Sequence, residues 1–222
     1  MTNPTIRSYR RLRVFSLTAA ATVLFVSCGY KVEVDLSTPP AAPHTSLTAS
    51  PPSSARTISI ARPKGPALNT TIGEFDHGFA PIVVRNDPGL WVANALVARL
   101  EETGYRVERA ETPSTAQTPI VIAVEVTEVS CNRDTARSGF IWAEYYTRVI
   151  ARVQVYKTNS VILQRTYSGS WVGPDLPGTF RVADSVEHAL DEALSDLLNQ
   201  AVPDLTAFLA KTEQAASVAP PT

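Results

Sequence analysis

Few residues of this sequence are placed to do chemistry. It has two cysteines, Cys28 and Cys131, and three histidines, His44, His77 and His188. The histidines fall in a proline-rich stretch, a loop and a helix, and none lies at metal-ligand spacing from another His, Cys or acid. Glu187 precedes His188, but neighbours on a helix point in different directions, which suits a solvated face. Cys131 has no His or Cys near it in sequence and reads as a partly buried, inert thiol. Glu125 and Glu128 could pair as acid and base, yet a regular strand puts them on opposite faces unless a bulge intervenes. There is no glycine-rich phosphate loop, no G-x-S-x-G, and no pair of cysteines free for redox work. The expectation is a chain that is not an enzyme and holds no metal and no cofactor.

Cys28 is different because of what precedes it. Arg7, Arg10, Arg11 and Arg13 form a basic region, followed by an apolar run from Val14 to Val26 and then Ser27-Cys28-Gly29. A helix needs about 20 apolar residues to span a bilayer, and this run is too short. Basic region, short apolar region and small residues before a processing point are the order of an export signal. Phe25-Val26-Ser27-Cys28 resembles the lipobox of bacterial lipoproteins, with Phe25 where leucine is usual. That resemblance implies removal of residues 1–27, and a diacylglycerol and an N-acyl chain (palmitate among them) on Cys28. Arg10-Arg11 invites a twin-arginine reading, but Arg13 stands where that motif wants a large apolar residue, so Sec export is expected. Gly29, rather than aspartate, implies by the same resemblance passage to the outer membrane, with the domain in the periplasm. With Cys28 acylated, Cys131 has no partner for an intramolecular disulfide.

Charge excludes one class of partner. Four of the 20 basic residues lie before Cys28, where there is no acidic residue, so 16 remain against 21 acidic ones. A mildly acidic mature chain lacks the electrostatic footprint of a nucleic-acid-binding protein.

The 222 residues fit one domain between two simple ends. Tyr30 to Leu36 alternates as a half-buried strand. Residues 37–55 are rich in Ser, Thr, Ala and Pro, including Pro39, Pro40, Pro43, Pro51 and Pro52, and read as a semi-extended linker. Residues 28–56 are therefore expected to be the lipidated cysteine and a flexible tether that holds the domain off the bilayer. The globular domain is expected over 57–212, and a disordered tail over 213–222.

Within the domain, Thr57 to Ala61 is β-rich, a loop carries Gly73 and Gly78, and Pro81 to Val84 is a short strand. Asp87-Pro88 starts a helix, with Asp as N-cap and Pro in the first turn. Val92, Ala93, Leu96, Val97 and Leu100 recur along it, and Gly104 stops it. Strands follow at Tyr105–Val107, Ile120–Val126, Phe140–Tyr156 and Val161–Val172, with a polar loop over 131–139 and a turn at Thr158-Asn159-Ser160. Val186, Ala189, Leu190, Ala193, Leu194, Leu197 and Leu198 mark a long helix, interrupted at Pro203 and resuming through Leu205, Phe208 and Leu209. The expected fold is α+β: an antiparallel sheet with two helices packed on one face, a two-layer sandwich preceded by the signal peptide and flexible tether.

Several of these segments together resemble the YajG family of outer-membrane lipoproteins. They are the lipobox, the alternating stretch after it, Thr57-Ile58-Ser59-Ile60 with Arg62, Ile72-Gly73, and Leu100-Glu101-Glu102-Thr103-Gly104-Tyr105-Arg106-Val107. Arg165-Thr166-Tyr167-Ser168-Gly169 and the long last helix complete the set, which spans roughly residues 57–210. The Pro/Ser-rich insertion after Leu36 departs from a compact member of that family. The same order of strands and helices also looks like lipoproteins that activate peptidoglycan synthases or assist export machines. The resemblance implies a fold and a location rather than an activity.

The remaining candidate is a surface. Along the long strand Trp142, Glu144, Tyr146, Arg148, Arg152, Gln154 and Tyr156 alternate with the core set, and Trp171 and Tyr167 of the next strand could join them. A face mixing Trp, Tyr and Arg has the composition of a binding surface; equally, its rings could simply cover the sheet. Trp142, Tyr146, Arg148, Arg152, Tyr156 and Trp171 are the candidate contacts for an envelope protein. The alternative is a cell-wall glycan or lipid-like ligand held between sheet and helices.

Overall fold

The computed structural model describes residues 31–36, 56–75, 80–134, 144–174 and 182–218, with side chains to residue 214. Eight strands and two helices follow one another as β1 (Val32–Val34), β2 (Arg56–Ala61), β3 (Thr70–Phe75), β4 (Ala80–Val84), α1 (Pro88–Glu102), β5 (Tyr105–Ala110), β6 (Ile120–Asp134), β7 (Glu144–Lys157), β8 (Ser160–Pro174) and α2 (Val182–Val218).

All eight strands form one mixed sheet, organised around β6. One edge of β6 pairs along its whole length with β7, which pairs in turn with β8, an antiparallel meander. The other edge is shared. Near its start Val121 and Ile122 pair with β2 in parallel, and β2 pairs in parallel with β5. Further on, Lys64 bridges to β6 through backbone hydrogen bonds to Val124 and from Val126. At the end Arg133 pairs with Phe75 of β3, which runs antiparallel to β4, and β4 is parallel to β1.

This corrects the expectation of an antiparallel sheet, since four of the seven strand pairings among the described residues are parallel. A hairpin announces itself by its turn, whereas parallel partners are joined by long crossovers and carry no local signature. Residues 70–75 are a strand rather than a loop, and β6 runs on through Cys131–Asp134 into the segment expected to be a polar loop. Residues 32–34, placed by sequence in the tether, are a strand of the sheet. Val32, Val34 and Leu36 are buried, and Arg85 N–H donates to the Val34 carbonyl at 3.0 Å. The proline-rich segment therefore connects two strands of the domain.

Both helices form for local reasons. The Asp87 Oδ1 accepts from the amides of Gly89 at 2.8 Å and Leu90 at 3.2 Å, which satisfies two otherwise orphaned donors at the start of α1. At its end Thr103 caps the last carbonyls, and Gly104 turns the chain at a φ of 93° that favours glycine. In α2, Val186, Leu190, Leu194, Leu197, Leu205 and Leu209 form one buried stripe against the sheet. Pro203 does not interrupt this helix, contrary to the sequence expectation. It lies on the solvent face, as does Asn199, whose carbonyl loses its helical donor there and can face water. The helix continues to Val218, past the expected domain end at 212. Among the described residues no helix is both long and apolar enough to cross a membrane.

Candidate interaction face

Strands β6, β7 and β8 each turn alternate residues to the helices and to the opposite, outer face. On β7 Tyr145, Thr147, Val149, Ala151, Val153 and Val155 are buried on the helix side, and Tyr146, Arg148, Ile150, Arg152, Gln154 and Tyr156 face outward. A bulge on β6 between Val126 and Glu128 adds one residue to that strand. Glu125 then stands opposite Arg152 and Glu128 opposite Ile150, so the two carboxylates share the outer face.

Each has its own partner. Arg152 Nη1 donates to Glu125 Oε2 at 3.2 Å, and the Ser130 hydroxyl donates to Glu128 Oε1 at 3.2 Å. The rest of the face is a similar ladder. The Tyr146 hydroxyl donates to Glu144 at 2.8 Å, Arg148 Nε to Ser168 Oγ at 3.3 Å, and Gln154 Nε2 to Gln164 Oε1 at 2.7 Å. The Tyr156 hydroxyl donates to Gln154 Oε1 at 2.9 Å.

These contacts are weak and exchangeable. The Arg152 and Glu125 side chains are 44% and 45% exposed, and such surface ion pairs contribute about 0–1 kcal/mol. Two arginines in a plane with two tyrosines can therefore trade these contacts for a partner's at little cost. Exposed apolar side chains flank them on β8, Val161 and Ile162 at one end and Val172 at the other.

The sequence-based set divides. Tyr146, Arg148, Arg152 and Tyr156 are together on this face. Cys28 and Trp142 lie outside the described residues. Trp171 is on the other side of the sheet, and Tyr167 with it, which corrects their expected membership. A bulge between Val155 and Tyr156 shifts the β7–β8 register, so that Trp171 stands opposite Thr147 and Tyr167 opposite Ala151, both on the helix side. There the Trp171 ring meets His188 edge-on, centroids 5.5 Å apart. The Tyr167 hydroxyl donates to Asp204 Oδ2 at 2.5 Å, and Arg165 Nη1 donates to both oxygens of the same carboxylate at 2.8 Å.

Other polar groups on α2 were not singled out by sequence. Asp196 Oδ2 accepts from the Ser170 amide at 3.0 Å, and Gln200 Nε2 donates to the Ser168 carbonyl at 3.1 Å. They occupy part of the open edge of β8, which would otherwise offer unpaired backbone groups. Glu187 Oε1 accepts from the Asp35 amide at 3.4 Å, tying α2 to β1. Burial, with Glu187 and Glu192 nearby, pushes the Asp191 carboxyl up to about 7. Burial also raises Glu187 above the usual carboxylate range, with Asp184 and Asp35 adding to it and the Asp35 amide opposing. The spacing of Glu187 and Asp191, one helical turn apart, was the available signal. Cys131 is fully buried, its thiol pushed up to about 11 by burial against the lowering effect of the Thr147 hydroxyl, which donates to it at 3.5 Å.

The fold recurs in solved structures. The protein XCC0632 of Xanthomonas campestris, from the family designated DUF330, is similar with a TM-score of 0.50 at 13% identity, over 86% of this chain and 99% of that one. A Helicobacter pylori protein described as a homolog of neuraminyllactose-binding hemagglutinin is similar with a TM-score of 0.51 at 13% identity, over 84% of this chain and 99% of that one. At that identity the likeness is one of fold alone. No protein-family model matches the sequence, and no curated protein matches it.

Proposed function

We propose that this chain is a bacterial envelope lipoprotein, acylated at Cys28, whose α+β domain is a non-catalytic interaction module facing the periplasm from the outer membrane. The observation that carries the reading is the order of the first 29 residues: the arginines, the short apolar run, and Ser27-Cys28-Gly29 in register. Two acyl chains suffice for stable anchoring where a single chain gives only marginal binding. The buried thiol of Cys131 leaves Cys28 as the cysteine available to an acyltransferase. The intact mass of the membrane-extracted protein tests this. Loss of residues 1–27 with a gain of acyl mass, both absent in Cys28→Ala, is the expected result. An unmodified wild type rejects the reading.

The domain's part in this function is docking through the outer face of β6, β7 and β8. Arg148 and Arg152 sit at its centre, held only by exchangeable contacts, with Tyr146 and Tyr156 above and below them. A partner of complementary, acidic character is the expected occupant. Arg148→Ala combined with Arg152→Ala should abolish recovery of a crosslinked envelope partner while leaving the melting temperature nearly unchanged. Undiminished crosslinking rejects this face.

A further inference from the structure

The position of β1 fixes how far the domain can stand from its anchor. Only Gly29, Tyr30 and Lys31 separate Cys28 from Val32, and a fully extended chain covers at most about 14 Å over that interval. Val32 is already inside the fold, paired with Ile82 and buried. The long proline-rich segment comes after β1 and adds nothing to the reach.

The strand register says which part of the domain is held there. β1 and β4 are parallel, so their starts, Val32 and Ala80–Ile82, lie together. β3 ends beside them at Phe75, which pairs with Arg133 near the end of β6. Tyr145 at the start of β7 and Gly173 at the end of β8 complete the same end of the sheet. The opposite end holds the turn between Lys157 and Ser160, and Arg56 paired with Tyr105. Fifteen residues of β6 at about 3.3 Å each put the two ends roughly 45 Å apart.

The anchor therefore joins the domain at one end of the sheet, beside Lys31, and not midway along it. We infer that the domain sits end-on against the phospholipid surface, with the Val32–Phe75–Arg133 end of the sheet at the headgroups and the Lys157–Ser160 turn pointing away. This rests on acylation of Cys28, and it reverses the expectation of a domain held off by a long tether.

The test uses the full, acylated chain in vesicles of phosphatidylethanolamine and phosphatidylglycerol doped with a nickel-chelating headgroup lipid. Spin labels are placed by Pro81→Cys and Val172→Cys at the near end and by Arg106→Cys and Asn159→Cys at the far end, all exposed positions. Cys131 is buried and takes no label. Nickel relaxation several-fold stronger at both near positions than at both far ones is the expected result. Equal relaxation at all four overturns the inference, as does strong relaxation at Pro81→Cys alone, which means a domain lying on its β1 flank. Intact mass is read on the same samples. An unmodified Cys28 overturns the lipoprotein reading as well, whereas an acylated chain without the contrast overturns only the end-on placement.

Discussion

The Tyr167 hydroxyl on β8 donates a 2.5 Å hydrogen bond to Asp204 on α2, and Arg165 holds the same carboxylate from the side. The three residues fasten the last helix to the outermost strand of the meander. Tyr167→Phe removes one donor but leaves Asp204 paired with Arg165, and should cost about 1–2 kcal/mol in denaturant unfolding. Asp204→Ala should cost more, because it leaves the Tyr167 hydroxyl without its acceptor. Burial raises the Tyr167 phenol above its ordinary value, and the hydrogen bond to Asp204 and its charge add to the shift while Arg165 opposes it. The folded state therefore holds this proton more tightly than the unfolded chain. Stability from it is complete below about pH 10 and falls as pH rises beyond that. Phenolate absorbance should show a component titrating late in the folded protein, to which Tyr105, also raised by burial, adds. Tyr167→Phe should reduce that component.

Asp191 gives a pH dependence in the opposite half of the scale. Its folded value of about 7 lies well above the 3.8 of an ordinary aspartate. The folded protein therefore binds a proton here that the unfolded chain releases near pH 4. The advantage of folding is fully present below about pH 4 and is lost as pH rises through about 7. Asp191→Asn keeps the shape and removes the buried charge. Its melting temperature should exceed that of the wild type at pH 8, and the two should converge at pH 4. A difference that does not depend on pH sinks this account.

Gly169 marks the closest approach of β8 to α2. A Cβ placed there would sit 1.9 Å from the Ala193 carbonyl oxygen and 2.5 Å from the Leu197 amide nitrogen. Both are backbone atoms of a helix and cannot swing aside. Relief would require the helix to move off the sheet, opening voids along its leucine stripe, and core disruptions of that kind cost about 2–5 kcal/mol. Gly169→Ala should therefore lower the melting temperature by about 10 °C or more. Ser170→Ala, on the exposed side of the same strand, should change it little.

The parts of the fold that are written locally were legible in the sequence. The Asp87-Pro88 start of α1 is a matter of one cap and one fixed φ. The alternation of β7 and the stripe of α2 are periodicities that a single segment carries by itself. Two kinds of feature were not local. The parallel pairing of β2 with β5 joins residues almost 50 positions apart, across β3, β4 and α1. The face on which Trp171 lies depends on a bulge rather than on its own neighbours. In an unbroken ladder from the Thr158-Asn159 turn, Trp171 would stand opposite Tyr146 on the outer face, as expected from sequence. One extra residue at Ile162 puts it opposite Thr147 instead. The run Val161-Ile162-Leu163, where alternation breaks, was the trace of that residue in the sequence. The same kind of irregularity at Thr127 brought Glu125 and Glu128 to one face.

The bulge at Ile162 yields the sharpest test of this architecture. Ile162 is 37% exposed, so its side chain contributes little burial. Ile162→Ala should cost less than about 1 kcal/mol in denaturant unfolding, as surface substitutions usually do. Deleting the residue removes the bulge without moving the rest of the strand. Leu163 then follows Val161 directly and keeps its pairing with Val155, in a ladder unbroken from the turn. Every later residue of β8 keeps its partner and its face, so Tyr167 and Trp171 stay on the helix side and Gly169 stays beneath Ala193. The two-residue connection, with Thr158 and Asn159 at positive φ of 50° and 66°, is untouched. The deletion variant should therefore still unfold cooperatively, as Ile162→Ala does. A deletion variant that has lost cooperative unfolding means that Ile162 does more than supply the extra residue of a bulge.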